Sequence, residues 1–160
     1  MDALALQTLA SELAADVDVI VAAIDLASRR YAEGTPSGHD SAAHHRSRAY
    51  NVIEQMALRV TKVFENNIDD DRGWHTELIR RLSIRIDGVR PPLFDDHVRP
   101  PLQELRAFRH VFVHAYDLTI DPEKLSLILN YAHIVRERIP GLVSAFVAAV
   151  ADEQGLERPR

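Results

Sequence analysis

Apolar residues recur at three- and four-residue spacing along most of the chain, and this periodicity limits what the chain can fold into more than any other feature. The segment 2–32 contains neither glycine nor proline. Its apolar residues at this spacing are Leu6, Leu9, Leu13, Val17, Ile20, Val21 and Ile24. Residues spaced in this way lie on one face of an α-helix. Sustained period-two alternation of β-branched residues, which marks a half-buried strand, does not occur. The sequence therefore predicts an all-α fold.

Glycine, proline and capping residues predict where the helices begin and end. The segment 33–38, with two glycines and one proline, is predicted to be the clearest flexible segment. Asp121 as N-cap and Pro122 at the first helical position predict the start of the last helix, which Pro140 is expected to kink or split. The predicted helices are residues 2–32, about 41–67, 74–86, 100–115 and 122 to the tail. We predict a single-domain bundle of four or five helices over residues 1–160, with residues 153–160 as a frayed tail.

Composition argues against several classes of protein. The chain has no cysteine, which excludes disulfides, thiolate nucleophiles and cysteine-ligated metals and makes a reducing cytoplasm the expected compartment. Apolar runs fall short of the roughly 20 residues that cross a bilayer, so no membrane association is expected. The net charge of −5 argues against non-specific coating of nucleic acid, because such binding uses Lys and Arg to neutralise phosphates.

The eight histidines raise the question of a metal site. His110 and His114 are four residues apart on one helix face, which is half of a zinc site, but the His-Glu-x-x-His pattern is absent. A Gly-x-Ser-x-Gly elbow and a phosphate-binding glycine loop are absent as well. We therefore predict neither a metal nor a cofactor.

Four polar residues interrupt the apolar run of the predicted fourth helix, namely Arg109, His110, His114 and Tyr116. Histidine titrates near neutral pH and transfers protons in both directions, whereas arginine stays charged and binds phosphate oxygens with two N–H groups. Together they suit cleavage of a phosphodiester without a metal. His114 would take the proton of an RNA 2′-hydroxyl or protonate the leaving 5′-oxygen, and Arg109 would stabilise the charge on the phosphate oxygens.

Helix geometry limits how this chemistry can be arranged. At roughly 100° per residue, Arg109 and Tyr116 lie almost on one face, whereas His114 lies about 140° from Arg109. One straight helix therefore does not direct Arg109 and His114 at a single phosphate. The length of the arginine side chain, a distorted last turn, or a second copy of the helix across a two-fold axis would bring them together.

A simpler interpretation of the same residues involves no catalysis. A histidine in an apolar helix is commonly a hydrogen-bonded residue of the core. Arg109 would then pair with a nearby carboxylate such as Glu104 or Asp117. Composition and periodicity alone favour this interpretation.

The spacing Arg109-x4-His114-x-Tyr116, with the polar His110 directly after the arginine, resembles the Arg-polar-x3-His signature of HEPN domains. Its extension to the tyrosine resembles the HepT-like toxin branch. This resemblance implies a HEPN-like bundle that acts as a metal-independent endoribonuclease, with the motifs of a homodimer meeting in one cleft, and a minimal nucleotidyltransferase as cognate antitoxin. By resemblance, Arg109 and His114 would be catalytic, His110 would support them, and Tyr116 would contact RNA or be adenylylated.

Two other hypotheses use the same residues. In the first, the chain is a non-catalytic helical module that binds a nucleotidyltransferase partner or its nucleotide through Arg109, His114 and Tyr116, and the low overall basicity favours it. In the second, the chain is a structural dimerisation bundle, in which substitution of Arg109 or His114 changes stability alone. Cleavage of RNA by the purified protein would separate the ribonuclease from both.

Overall fold

The computed structural model describes residues 1–65, 74–114 and 120–159, and it describes only the backbone of residues 74–76 and 110–114. Within these ranges the chain forms five helices, which are α1 (Ala3–Tyr31), α2 (Pro36–Glu65), α3 (Trp74–Leu82), α4 (Arg99–His114) and α5 (Pro122–Gln154). The one β-type contact in the described part is an isolated antiparallel bridge between Ile86 and Arg90. The predicted all-α fold is confirmed.

The five helices pack around a shared apolar core. α1 packs along α2 and α5, and α4 packs against α5 and α2. Each helix contributes fully or almost fully buried side chains at the spacing seen in the sequence, including Leu13 and Ile20 of α1, Ile53 and Met56 of α2, Leu78 of α3, Leu102 of α4, and Val135 and Phe146 of α5. Burying one such side chain contributes roughly 1.5–3 kcal/mol. None of the helices in the described ranges is long and apolar enough to cross a membrane.

The second helix begins earlier than predicted, at Pro36 instead of near Ser41. The side-chain oxygen of Thr35 accepts a hydrogen bond from the amide of Gly38 at 3.0 Å, and proline is well suited to the first helical position because its missing N–H would have no partner there. Gly38 is buried, and a Cβ on it would lie 2.6 Å from the carbonyl oxygen of Arg30. The prediction of a flexible segment was therefore wrong for residues 36–38, which form a close contact between α1 and α2.

The third helix is shorter than predicted and ends at Leu82. The guanidinium of Arg90 donates hydrogen bonds to the carbonyl oxygens of Arg81 at 3.0 Å and Ile84 at 3.1 Å, which a longer helix would have used for its own ladder. Arg90 is fully buried and also donates twice to Oε1 of Glu65, at 2.8 and 2.6 Å. The chain between α3 and α4 is thus folded around this arginine. The predicted end of the second helix, at residue 67, lies outside the described residues.

An aspartate precedes each of the two remaining helices and accepts a hydrogen bond from a backbone amide. Ahead of α4, Asp95 accepts a hydrogen bond from the amide of Val98 at 2.8 Å. Asp121 caps α5 as predicted and accepts from the amide of Glu123 at 2.9 Å. α5 then continues as one helix through Pro140, so of the two predicted alternatives, a kink or a split, the split is wrong.

The segment predicted as a frayed tail contacts the end of α5. Gly155 ends the helix with a left-handed φ of 64°, a conformation that glycine adopts without steric cost. Leu156 packs against the main core. Arg158 forms two hydrogen bonds with the carboxylate of Asp152, at 3.2 and 2.7 Å.

Candidate active site

Arg109 lies near the C-terminal end of α4, on the side that meets α2. α4 buries Leu102 and Leu105 in the core, whereas Nη1 of Arg109 donates a hydrogen bond to Oε2 of Glu54 in α2 at 2.6 Å. The side chain of Glu54 is 6% exposed and that of Arg109 is 32% exposed. The carboxylate therefore holds the guanidinium from the interior, while part of the arginine remains accessible to a ligand.

Three polar residues of α2 lie beneath this part of α4. Arg46, Tyr50 and Glu54 follow one another at four-residue spacing, which places them on one helix face, and all three are buried. We refer to them as the α2 polar row. The ring centroid of Tyr50 is 6.0 Å from Cζ of Arg109, at the outer limit of a cation–π contact. The α2 polar row thus brings charged and aromatic groups against the inner side of α4.

Arg46 is fully buried and makes no ion pair with a carboxylate of the described residues. Its Nη1 donates to the carbonyl oxygen of Leu105 at 2.6 Å, and its Nη2 donates to Oγ of Ser47 at 2.7 Å. Its Cζ is 4.6 Å from the centroid of the Phe108 ring. Burial lowers the pKa of Arg46 to about 9, and the positive charge of Arg109 acts in the same direction. Such a site is costly, because a buried cation without a counter-charge loses its hydration and gains little in return.

Tyr50 is held in its neutral form. Burial raises the pKa of its hydroxyl, and the neighbouring Glu54 carboxylate raises it further, whereas Arg106 and Arg109 oppose the shift without cancelling it. Tyr50 is therefore a neutral phenol at physiological pH. In the α2 polar row the negative charge belongs to Glu54, and that charge is paired with Arg109.

Of the four predicted site residues, Arg109 alone has a described side chain. His110 and His114 belong to α4 by their backbone, but their side chains lie outside the described residues, and so does the whole of Tyr116. α4 ends at His114, which agrees with the predicted position of the motif in the last turns of the helix. The structure therefore brings Arg109 together with the α2 polar row, and the functional roles of all four residues stay predictions.

The carboxylate that pairs with Arg109 was not predicted from the sequence. The predicted partners, Glu104 and Asp117, are both close to Arg109 in the sequence. The observed partner, Glu54, is 55 positions away, and no local pattern predicts such a contact. The sequence signal that could have indicated it is the series Arg46, Tyr50 and Glu54, which places polar residues at four-residue spacing on the apolar face of α2.

The geometry around Arg109 suits the binding of an anion. A guanidinium carries five N–H donors in a planar fork, and Glu54 is bonded to Nη1. The buried Arg46 adds a second positive charge beneath the same helix, where it donates to the carbonyl oxygen of Leu105. A phosphate that approached Arg109 from solvent would meet a guanidinium already oriented by the protein, which is the arrangement that favours charge-assisted hydrogen bonds to phosphate.

Comparison with known proteins identifies the family. A family model described as "HepT-like protein" matches residues 41–150, about two thirds of the chain. The chain belongs to the HepT-like family. The predicted family is therefore confirmed, and a HepT-like protein is a HEPN-domain protein with a toxin-type role. The α2 polar row and all of α4 lie within the matched segment. Neither a curated protein nor a solved structure matches the chain.

Proposed function

We propose that this HepT-like protein is a metal-independent endoribonuclease toxin whose active site is shared between the two protomers of a homodimer. The observation that carries the proposal is the setting of Arg109. Its guanidinium is partly exposed and is held from the interior by Glu54, within the family-matched segment and on the helix that ends at His114. In the cytoplasm, a cognate minimal nucleotidyltransferase would serve as the antitoxin.

The proposed reaction is an internal transfer at an RNA phosphodiester. His114 accepts the proton of the 2′-hydroxyl while the 2′-oxygen attacks phosphorus, and the bond from phosphorus to the 5′-oxygen breaks as that oxygen receives a proton. The products are a 2′,3′-cyclic phosphate and a 5′-hydroxyl, so water is not consumed. Arg109 stabilises the negative charge on the non-bridging oxygens, and His110 supports the two catalytic residues.

Helix geometry supports a shared site. Arg109 and His114 both belong to α4, and positions five residues apart on an ideal α-helix are separated by about 140° around its axis. A two-fold axis beside this helix brings Arg109 of one protomer towards His114 of its partner. The dimer then contains two equivalent sites, each with one Arg109 and one His114, and this His114 passes the proton that it takes from the 2′-oxygen to the leaving 5′-oxygen.

Substitution of the two catalytic candidates tests the site. Arg109→Ala and His114→Ala should each lower kcat on single-stranded RNA, measured in EDTA, by roughly 100-fold or more. Arg109→Lys keeps a positive charge beside Glu54 and should also be slow, because lysine cannot fork onto phosphate. Arg99→Ala is the matched control, since Arg99 is an α4 arginine whose carboxylate partner, at 3.1 Å, is the exposed Asp96 in the turn before the helix. Cleavage at the wild-type rate by the Arg109 and His114 variants would contradict the assignment.

Mixing the inactive variants tests whether the site is shared. If Arg109 and His114 of one site come from different protomers, each heterodimer of Arg109→Ala with His114→Ala contains one complete site. An equimolar, re-equilibrated mixture should then recover about a quarter of the wild-type activity. No recovery, with heterodimers demonstrated by native mass spectrometry, would mean that the site is not divided in this way.

The antitoxin is proposed to act on Tyr116. An adenylyl group there adds bulk and a negatively charged phosphate next to the position of the RNA phosphate, and both oppose substrate binding. The intact mass of protein co-expressed with a neighbouring nucleotidyltransferase should show added adenylyl groups, and Tyr116→Phe should remove them. An unmodified protein whose toxicity is nevertheless suppressed would mean that the antitoxin acts by binding alone.

The second candidate function is a non-catalytic module that binds a nucleotidyltransferase or its nucleotide, and the net charge of −5 favours it. It predicts that nucleotide binds near Arg109 while unmodified, partner-free protein cleaves no RNA at any concentration. Calorimetric titration with ATP, run beside the cleavage assay, separates the two functions.

A further inference from the structure

Two hydrogen bonds between the α2 polar row and α4 both help to hold Arg109. Glu54 accepts from the Arg109 guanidinium at 2.6 Å. One turn earlier on α4, Arg46 donates to the carbonyl oxygen of Leu105, also at 2.6 Å. In an α-helix that carbonyl is the acceptor for the amide of the residue four positions later, which is Arg109. α2 therefore holds both the side chain of Arg109 and the backbone turn from which it projects.

The need for stability does not explain these contacts. Glu54 is 5% exposed and Arg46 is fully buried, and buried charges of this kind are often replaced by apolar residues with no loss of stability. Neighbouring positions on α2, such as Ile53 and Ala57, fill the core with apolar side chains. Charged residues at core positions are expected where function requires them. Glu54 and Arg46 are such residues, and they lie directly beneath the part of α4 that carries Arg109.

We propose that Glu54 is a positioning residue for Arg109 and that Arg46 fixes the turn of α4 that carries it. The proposal rests on the proposed ribonuclease function, because it assigns Glu54 a role in the rate of that reaction. Glu54 does not contact RNA in this scheme, since its side chain is almost fully covered. It limits the conformations of a long side chain, so that the N–H groups of Arg109 face the substrate before the substrate arrives.

Substitution of Glu54 should mainly affect the chemical step. Glu54→Ala is expected to lower kcat on RNA by roughly 10- to 100-fold, because a misplaced catalytic group costs about this much, with KM changed by less than about threefold. Glu54→Gln keeps an oxygen that accepts from Arg109 and should recover most of the rate. It also preserves the shape of the side chain, so it remains informative if Glu54→Ala does not fold.

Asp16→Ala provides the matched control. Asp16 of α1 pairs with Arg59 of α2 at 3.3 Å. Arg59 is exposed to the same extent as Arg109, 33% against 32%, and Asp16 is more exposed than Glu54, 16% against 6%. The pair joins two helices at a different position on α2, so its loss should leave kcat within twofold of wild type. An equal decrease in kcat for Asp16→Ala and Glu54→Ala would indicate a general loss of helix packing and overturn the proposal.

A double substitution separates positioning from an independent effect. If Glu54 acts only through Arg109, the Glu54→Ala change should not slow an enzyme that already carries Arg109→Ala. If the double variant is slower than Arg109→Ala by the same factor that Glu54→Ala shows alone, Glu54 does not act through Arg109 and the proposal fails.

The side chain of Arg109 can also be followed without any activity. In wild-type protein its guanidinium N–H signals, assigned by their loss in Arg109→Lys, should show restricted rotation in 15N NMR spectra, and Glu54→Ala should abolish that restriction. If wild type fails to cleave RNA but shows restricted Arg109 signals that depend on Glu54, the ribonuclease function fails while the positioning contact stands. Freely rotating Arg109 signals in active wild type would overturn the positioning role alone.

Discussion

Arg46 and Arg90 are the two completely buried arginines among the residues that the structure describes, and their surroundings differ. Arg90 donates five hydrogen bonds, two of them to the carboxylate of Glu65 and three to backbone carbonyls. Arg46 makes two, to a carbonyl and to the hydroxyl of Ser47. Its Nε is buried and has no hydrogen-bond partner in the part of the chain that the structure describes. The charge of Arg90 is therefore balanced by a carboxylate, whereas Arg46 bonds only to neutral groups among the described residues.

We infer from this difference that Arg90 serves the fold, whereas Arg46 serves the proposed function. Arg90 ends α3 and organises the connection to α4, so its bonds replace backbone contacts that this irregular segment cannot make for itself. Arg46 lies between two regular helices whose backbones are satisfied without it. Burying a charge in such a place lowers the stability of the fold and adds few contacts in return. Substitution of Arg90 should therefore lower the free energy of unfolding, and substitution of Arg46 should leave it nearly unchanged or raise it.

The largest expected effect on stability comes from Arg90→Met. This change removes five hydrogen bonds and takes from the buried Oε1 of Glu65 both of its arginine donors, so we expect the free energy of unfolding to fall by about 3 kcal/mol. Urea denaturation at a fixed protein concentration measures it. Arg81→Met is the control, because Arg81 pairs with the same carboxylate but is 47% exposed, and its loss should cost less than about 1 kcal/mol. Equal losses for the two variants would remove the distinction between the buried and the exposed arginine.

A much smaller effect on stability is expected for Arg46→Met. Methionine fills a similar volume without a charge, and the Leu105 carbonyl keeps its helical amide partner, so the free energy of unfolding should stay within about 1 kcal/mol of wild type or rise. The rate of RNA cleavage should nevertheless fall, because the turn that carries Arg109 is no longer held. A loss of stability as large as that of Arg90→Met would show that Arg46 is structural too.

Helix type and order followed from the sequence because they depend on local properties. Apolar spacing, the cap at Asp121 and the proline at the start of α4 act over a few residues, and each is present in the structure. The start of α2 was misplaced because the glycines of the Gly34–Gly38 segment were weighed more heavily than the capping signal of Thr35 followed by Pro36.

The contacts of buried charges did not follow from the sequence. α3 was predicted too long because its apolar spacing continues to Ile86, while the carbonyls of that segment bond to an arginine further along the chain. In the same way, Arg109 was recognised by its motif, but its partner Glu54 was not. Pairings of this kind depend on how whole helices are rotated against each other, and no short-range pattern contains that information.

Gly38 limits which residue can stand at the junction of α1 and α2. It precedes the matched segment 41–150, yet it lets α2 approach the end of α1 so closely that a methyl group would collide with a backbone oxygen. An alanine there would displace the N-terminal part of α2, and Arg46, about two turns further on, would be displaced with it. Substitution at the junction of α1 and α2 would therefore act on the position of Arg109, the proposed catalytic arginine, although that residue lies on another helix and far away in the sequence.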